Sequence, residues 1–137
     1  MKSETSRRIM DAARAKAKEI GKGVSIIVVD SGGIPMCMER VNDAAPATTF
    51  IAEGKATASV MMGRDSGALE KLAERFPPIT KVYDSISAKV QGRFLVLQGA
   101  VVILDDGAVA GAVGVSGATS EEDEAIAKAG ADQYAAG

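Results

Sequence analysis

Ile9, Ala13, Ala17 and Ile20 recur at helical spacing with Arg and Lys filling the opposite face, so residues 4–20 predict an amphipathic helix. Gly21 follows where a helix ends on a left-handed residue. The period then changes. Val24 to Asp30 concentrates β-branched residues and predicts a strand, Ser31-Gly32-Gly33 supplies a turn, and Ile34 to Val41 alternates as the return strand. On that strand Ile34, Met36, Met38 and Arg40 share one face, and Cys37 and Glu39 share the other. Pro35 has no N–H to donate, so the strand starts there or lies on an edge.

Asn42 to Pro46 breaks the strand and opens a second helix reaching to about Met62, with Pro46 tolerated in its first turn. Phe50, Gly54, Ala58 and Met61 form one stripe of it, and the small residues admit a close backbone. A short helix is expected around 66–75, followed by Pro77-Pro78, and residues 79–92 read as irregular. Phe94 to Leu97 predicts a strand, Gln98-Gly99 a kink, and Ala100 to Leu104 a further strand. Asp105-Asp106-Gly107 signals a hairpin, with Ala108 to Val115 returning. Thr119 or Ser120 caps a last helix whose first turn carries Glu121, Glu122, Asp123 and Glu124, where carboxylates favour the dipole. The order is α-β-β-α-(α)-β-β-β-α, an α+β fold with a mainly antiparallel sheet covered by helices.

A length of 137 residues sets one domain, 1–137, able to bury a core without disulfides or metals. One cysteine makes no internal disulfide, which suits a reducing, cytoplasmic setting. Sixteen Lys+Arg against 18 Asp+Glu give a net charge of −2, against the concentrated basic face that nucleic acid requires. The opening MKSETSRRIM has charges and no apolar run, so no secretory leader is expected, and the apolar runs are too short for a membrane span. The chain contains no histidine. That count removes every His-dependent triad, zinc site and haem ligand.

The candidate chemistry is correspondingly narrow. The string Gly111-Ala-Val-Gly114-Val-Ser-Gly117 fits neither phosphate-binding fingerprint, and four acids open the helix behind it, so close packing of strand on helix is the better account. Ser116 lacks both the nucleophile-elbow pattern and an activating imidazole; a hydrogen-bonding role is left to it. Arg40 ends a strand beside apolar neighbours, where its planar fork could clamp a carboxylate or phosphate. The competing reading is a snorkelling arginine paired with Asp43 or Glu39. Lys55 is either a substrate-binding amine or a solvated helix lysine. Met36 and Met38 are expected in the core and Cys37 as a small apolar residue, and the three sulfurs cannot converge from one strand. No metal site is expected.

Val28-Val29-Asp30-Ser-Gly-Gly33, Arg40-Val-Asn-Asp43-Ala-Ala, Gly54-Lys55-Ala56-Thr57-Ala58 and the block Asp106 to Gly117 followed by Glu122-Asp123-Glu124 resemble, in order, successive blocks of the GlcG/HbpS-like family. The resemblance implies a five-stranded antiparallel sheet flanked by helices, similar to profilin-like and PAS-like folds, and homo-oligomers from dimers to octamers. Some members bind haem, for which a histidine on the first helix would serve. Here that helix carries Arg, Lys, Ala and Met, so haem would need Cys37, Tyr83, Tyr134 or a methionine. Ala44 stands where the family often has glycine, and Gln98-Gly99 where a double glycine and a proline are common.

Two classes of function follow. The first is a small-molecule-binding accessory protein for an anionic metabolite or cofactor, its site drawn from Arg40, Asp43, Lys55, Ser116 and Gly117. The second is a lyase or isomerase on a small carboxylated metabolite, which without histidine must use Lys55, Asp43, Asp30, Tyr83 or Glu53 as acid or base.

Overall fold

Two hairpins build the sheet, and each closes on its expected turn. In a computed structural model describing residues 1–136, β1 (Val24–Asp30) and β2 (Pro35–Val41) are joined by a turn that Asp30 organises. Its Oδ1 accepts the N–H groups of Gly32 at 2.9 Å and Ile34 at 3.0 Å. β3 (Ala100–Asp105) and β4 (Ala108–Ser116) meet through Asp106 and Gly107 at φ 52° and 84°, the positive pair that a two-residue hairpin requires. All pairings are antiparallel, in the order β2-β1-β4-β3.

Helices cover both faces because the two inner strands are apolar on both. Helix α1 (Ser3–Ile20) ends on Gly21 in the left-handed conformation, whose N–H bonds Ala17 O. It lies with α5 (Ser120–Ala131) against one face, in a core with Ile26, Val28, Val113 and Val115. Helix α2 (Ala47–Met62) covers the other face through Ala52, Ala56 and Val60, against Ile27, Val29 and Ala112. Gly114 lets it approach: a Cβ there would run into Ala52 O and Ala56 Cβ. The glycine string is therefore a packing feature.

Four expectations are corrected here. The sheet has four strands, and the helix run is longer, giving the order α-β-β-α-α-α-β-β-α. Residues 79–92 are not irregular: α3 (Ser66–Arg75) is followed by α4 (Ile79–Lys89). Its β-branched residues disguise it, although Ile79, Tyr83, Ile86 and Val90 keep helical spacing. These four join a third cluster with Ala58, Leu69 and Phe94. Phe94 to Leu97 is not a strand. Leu95 N–H bonds Gly54 O on α2 at 3.0 Å instead, and the edge a fifth strand would need is taken. There Ser66 Oγ accepts Ala100 N–H at 2.9 Å, and Asp65 Oδ1 accepts Val102 N–H at 2.9 Å. That leaves β2 as the open edge. Met38 is not core either: it is 42% exposed on the β2 face that α2 does not reach.

Candidate functional site

Strand register assembles the polar positions. Ser25 on β1 pairs with Arg40 on β2 and with Ser116 on β4, so the three stand on one rung and project to the same face. That is the α2 face, since Ser25 Oγ lies 2.8 Å from Thr48 Oγ1 in the first turn of α2. Thr48 in turn donates to Ala45 O at 2.6 Å, which leaves Ser25 as the donor between the two hydroxyls. Arg40 is exposed and forms no ion pair among the described residues. Neither proposed partner holds it. Glu39 points to the opposite face, where Arg14 of α1 grips it with Nε and Nη2, each at 2.6 Å. Asp43 is exposed in the turn after β2, at φ 57°.

Lys55 is neither solvated nor presented to a ligand. It is 4% exposed, and its Nζ donates to Val115 O at 2.9 Å and to Asp123 Oδ2 at 3.1 Å. Asp123, 3% exposed, also accepts Ala118 N–H at 2.9 Å. Burial pushes the Asp123 carboxyl above the usual range, against the hydrogen bonds from Ala118 and Gly117 and the charge of Lys55. The pair ties α2, β4 and α5 together. Gly99 makes room for it, since a Cβ there would fall 2.6 Å from Lys55 Nζ. Gly117 and Ala118 thus turn their amides toward Asp123.

The structure therefore groups Arg40 and Ser116, adds Ser25 and Thr48, and sets Lys55 aside as one half of a buried pair. Asp123 was missed, although its signal was present. The capping box of Thr119 and Glu122 sets the phase of α5. In that phase Asp123, Ile126, Ala127 and Gly130 share the buried face. The groups suggested for acid–base work are dispersed. Asp30 lies at the far end of β1 from Ser25, about 17 Å along the strand, and is engaged in its turn. Tyr83 is buried in the third cluster and donates to Leu69 O at 3.0 Å.

Two further clefts bear on ligand chemistry. Between α1 and β2, Met10, Cys37 and Met38 line a cleft of about 310 Å³ together with Arg7 and the Arg14–Glu39 pair. Cys37 Sγ is half-buried and donates to Ser6 O at 3.6 Å, and burial raises its pKa. On α3, Arg64, Lys71 and Arg75 line a groove of about 390 Å³.

A family model described as "Haem degrading protein HbpS-like" matches residues 1–132. An uncharacterized 15.0 kDa protein from the dhaT-dhaS intergenic region of Citrobacter freundii is 30% identical over 129 residues, 94% of this chain and 88% of that one. Protein GlcG of Escherichia coli strain K12 is 31% identical over 109 residues, 79% of this chain and 75% of its own. The crystal structure of a double mutant of HbpS from Streptomyces reticuli is similar at a TM-score of 0.82 and 28% identity, covering 96% of this chain and 85% of that chain.

Proposed function

The chain belongs to the HbpS-like family, and from that premise we propose that it is a small-molecule-binding protein whose ligand is an anionic metabolite held at Arg40. The observation that carries this reading is the unpaired guanidinium of Arg40 on one rung with Ser25 and Ser116. A planar fork clamps a carboxylate with two parallel hydrogen bonds, which a lysine cannot reproduce. Ser116 adds a hydroxyl from β4, and Asp43 disfavours a second negative charge near the turn. Lys55 contributes through the position of β4, because Asp123 already neutralises it. The enzyme reading draws less support, since its acid–base groups do not converge on Arg40.

Haem, named in the family description, is a poorer match to the donors present. No histidine exists. Among the sulfurs of the α1–β2 cleft, Met10 is 3% exposed and packed in the core, Cys37 is held protonated by burial and engaged with Ser6, and Met38 alternates to the opposite strand face from Cys37. The rim is an ion-pair network rather than an apolar slot. Both tyrosine hydroxyls are spoken for, Tyr83 by Leu69 O and Tyr134 by Asp105 at 2.9 Å. This donor set does not fit haem ligation.

Assembly into a homo-oligomer is part of the proposal. It is supported by the open β2 edge and by Ile34, Met38 and Phe50, which are 57%, 42% and 75% exposed. No helix among the described residues is long and apolar enough to cross a membrane, and the lone cysteine suits a reducing, cytoplasmic setting.

A thermal-shift screen against glycolate-like and aromatic acids, on the parent, Arg40→Ala and Arg75→Ala, tests the reading. An acid that stabilises the parent and Arg75→Ala but not Arg40→Ala supports it. Equal stabilisation of parent and Arg40→Ala rejects it, and selective loss in Arg75→Ala moves the site to α3. Titration with hemin is expected to give no saturable Soret change. A stoichiometric band would overturn the exclusion of haem.

A further inference from the structure

The run Phe94 to Leu97 raises a separate question, because it is an extended apolar segment that joins no sheet. Two of its amides are used locally, Leu95 N–H by Gly54 O and Leu97 N–H by Leu95 O at 3.1 Å, and the next residue's Gln98 N–H goes to Glu70 Oε2 at 3.1 Å. Apart from Leu95 O, its carbonyls are not. Those of Phe94, Val96 and Leu97 accept no hydrogen bond from the described residues. The segment forms one wall of a cleft of about 320 Å³, with α3 and α4 forming the others.

The lining combines an apolar floor with two carboxylates and the hydroxyls of Thr80 and Ser87, which donate or accept. Ala73, Tyr83 and the Phe94–Leu97 side chains supply the floor, and Tyr83 and Phe94 pack as a tilted pair 6.0 Å apart. Glu70 from α3 and Asp84 from α4 supply two carboxylates, and neither forms an ion pair among the described residues. The Gln98 amide orients one oxygen of Glu70 and leaves the other free. Among the described residues, no lysine or arginine lines the cleft. The two carboxylates repel an anion there, and they match a ligand with donors and positive charge. The volume suits a small molecule rather than a macromolecular segment.

We propose that this cleft binds a small organic cation, a protonated primary amine carried on a short aliphatic or aromatic skeleton. The ammonium sits between Glu70 and Asp84, and the skeleton lies along Tyr83 and Leu95. The site shares no residue with the Arg40 rung, so the two proposals stand or fall separately.

Isothermal titration of the full chain with phenethylamine and hexylamine tests it, with phenylacetate and hexanol as charge-reversed and neutral counterparts. The variants are Glu70→Gln, which still accepts the Gln98 amide, Asp84→Asn and their combination. Saturable amine binding is expected in the parent and in Arg40→Ala. In the double variant it should weaken by about tenfold or more, the size of a lost charge-assisted hydrogen bond. An unchanged melting temperature of the unliganded variants keeps this loss from being one of folding. Equal amine affinity in parent and double variant overturns the proposal. So does binding of phenylacetate or hexanol as tight as that of the amines, or no saturable amine binding.

Discussion

Neutralising Lys55 while leaving Asp123 in place strands a carboxylate that is 3% exposed. The variant Lys55→Met fills a similar volume but offers nothing to Asp123 Oδ2 or Val115 O, which Nζ holds at 3.1 and 2.9 Å. Removing one partner of a buried pair costs about 3–5 kcal/mol. Asp123→Asn should fall in the same range, because it strands the ammonium instead. In the double variant both charges are gone and the amide oxygen introduced by Asp123→Asn can still accept Ala118 N–H, so the residual loss is about 1–2 kcal/mol. A coupling of roughly 4 kcal/mol or more should result, well above the ~0.5 kcal/mol scatter of independent sites. For 137 residues a single variant should melt roughly 10–15 °C lower. The chain has no tryptophan, so urea unfolding is followed by far-UV circular dichroism. The sign of the pH effect adds a second check. Burial raises Asp123 in the folded state, so the folded form binds its proton more tightly than the unfolded chain. The resulting penalty is absent below the unfolded carboxylate pKa and grows as pH rises through the raised folded value. Lys55→Met should deepen that penalty and regain stability relative to the parent as pH is lowered. Single variants each costing less than about 1 kcal/mol, or additive losses, would refute the reasoning.

Gly114→Ala forces a methyl group into the α2 backbone and should cost about 3 kcal/mol or yield insoluble protein, read from the melting temperature and soluble expression. Arg14 holds Glu39 below the usual carboxylate range, so its contribution is present above the unfolded pKa and lost as pH falls through the lowered folded one. Glu39→Gln should flatten that acid-side slope in urea titrations. At neutral pH it should cost about 1 kcal/mol or less, because the pair is well exposed. Burial raises the Cys37 thiol, so Ellman's reagent should react with it at pH 8 more slowly than with an unfolded control; equal rates would contradict the burial. Met38→Lys on the open β2 face should reduce the mass measured by light scattering, and an unchanged mass would remove this edge from the assembly.

Most of the fold was legible wherever a short stretch carries its own reason. Gly21, Asp106-Gly107 and the Thr119–Glu122 box act over a few residues, so their turns and caps could be read directly. Helix α4 was legible in its spacing but hidden by its β-branched residues, since propensity and period disagree there. The Phe94–Leu97 run was not legible. An apolar extended stretch becomes a strand only if an edge is free, and side chains of Asp65 and Ser66, some thirty-five residues earlier, occupy the edge beside β3.

The candidate site divides in the same way. Arg40 and Ser116 could be nominated from residue type and strand phase, but only the register through Ser25 sets them on one rung. Lys55 could be placed on a helix, but whether it faced solvent, a ligand or the core was decided only by packing, which buries it. Its meaning came from Asp123, 68 positions away. By itself the sequence determined the two hairpins, the first and last helices and the absence of imidazole, because those depend on local backbone preference and on composition. Tertiary structure alone decided which charges meet and which remain free, because a buried charge takes its state from the groups that the fold brings within about 4 Å of it.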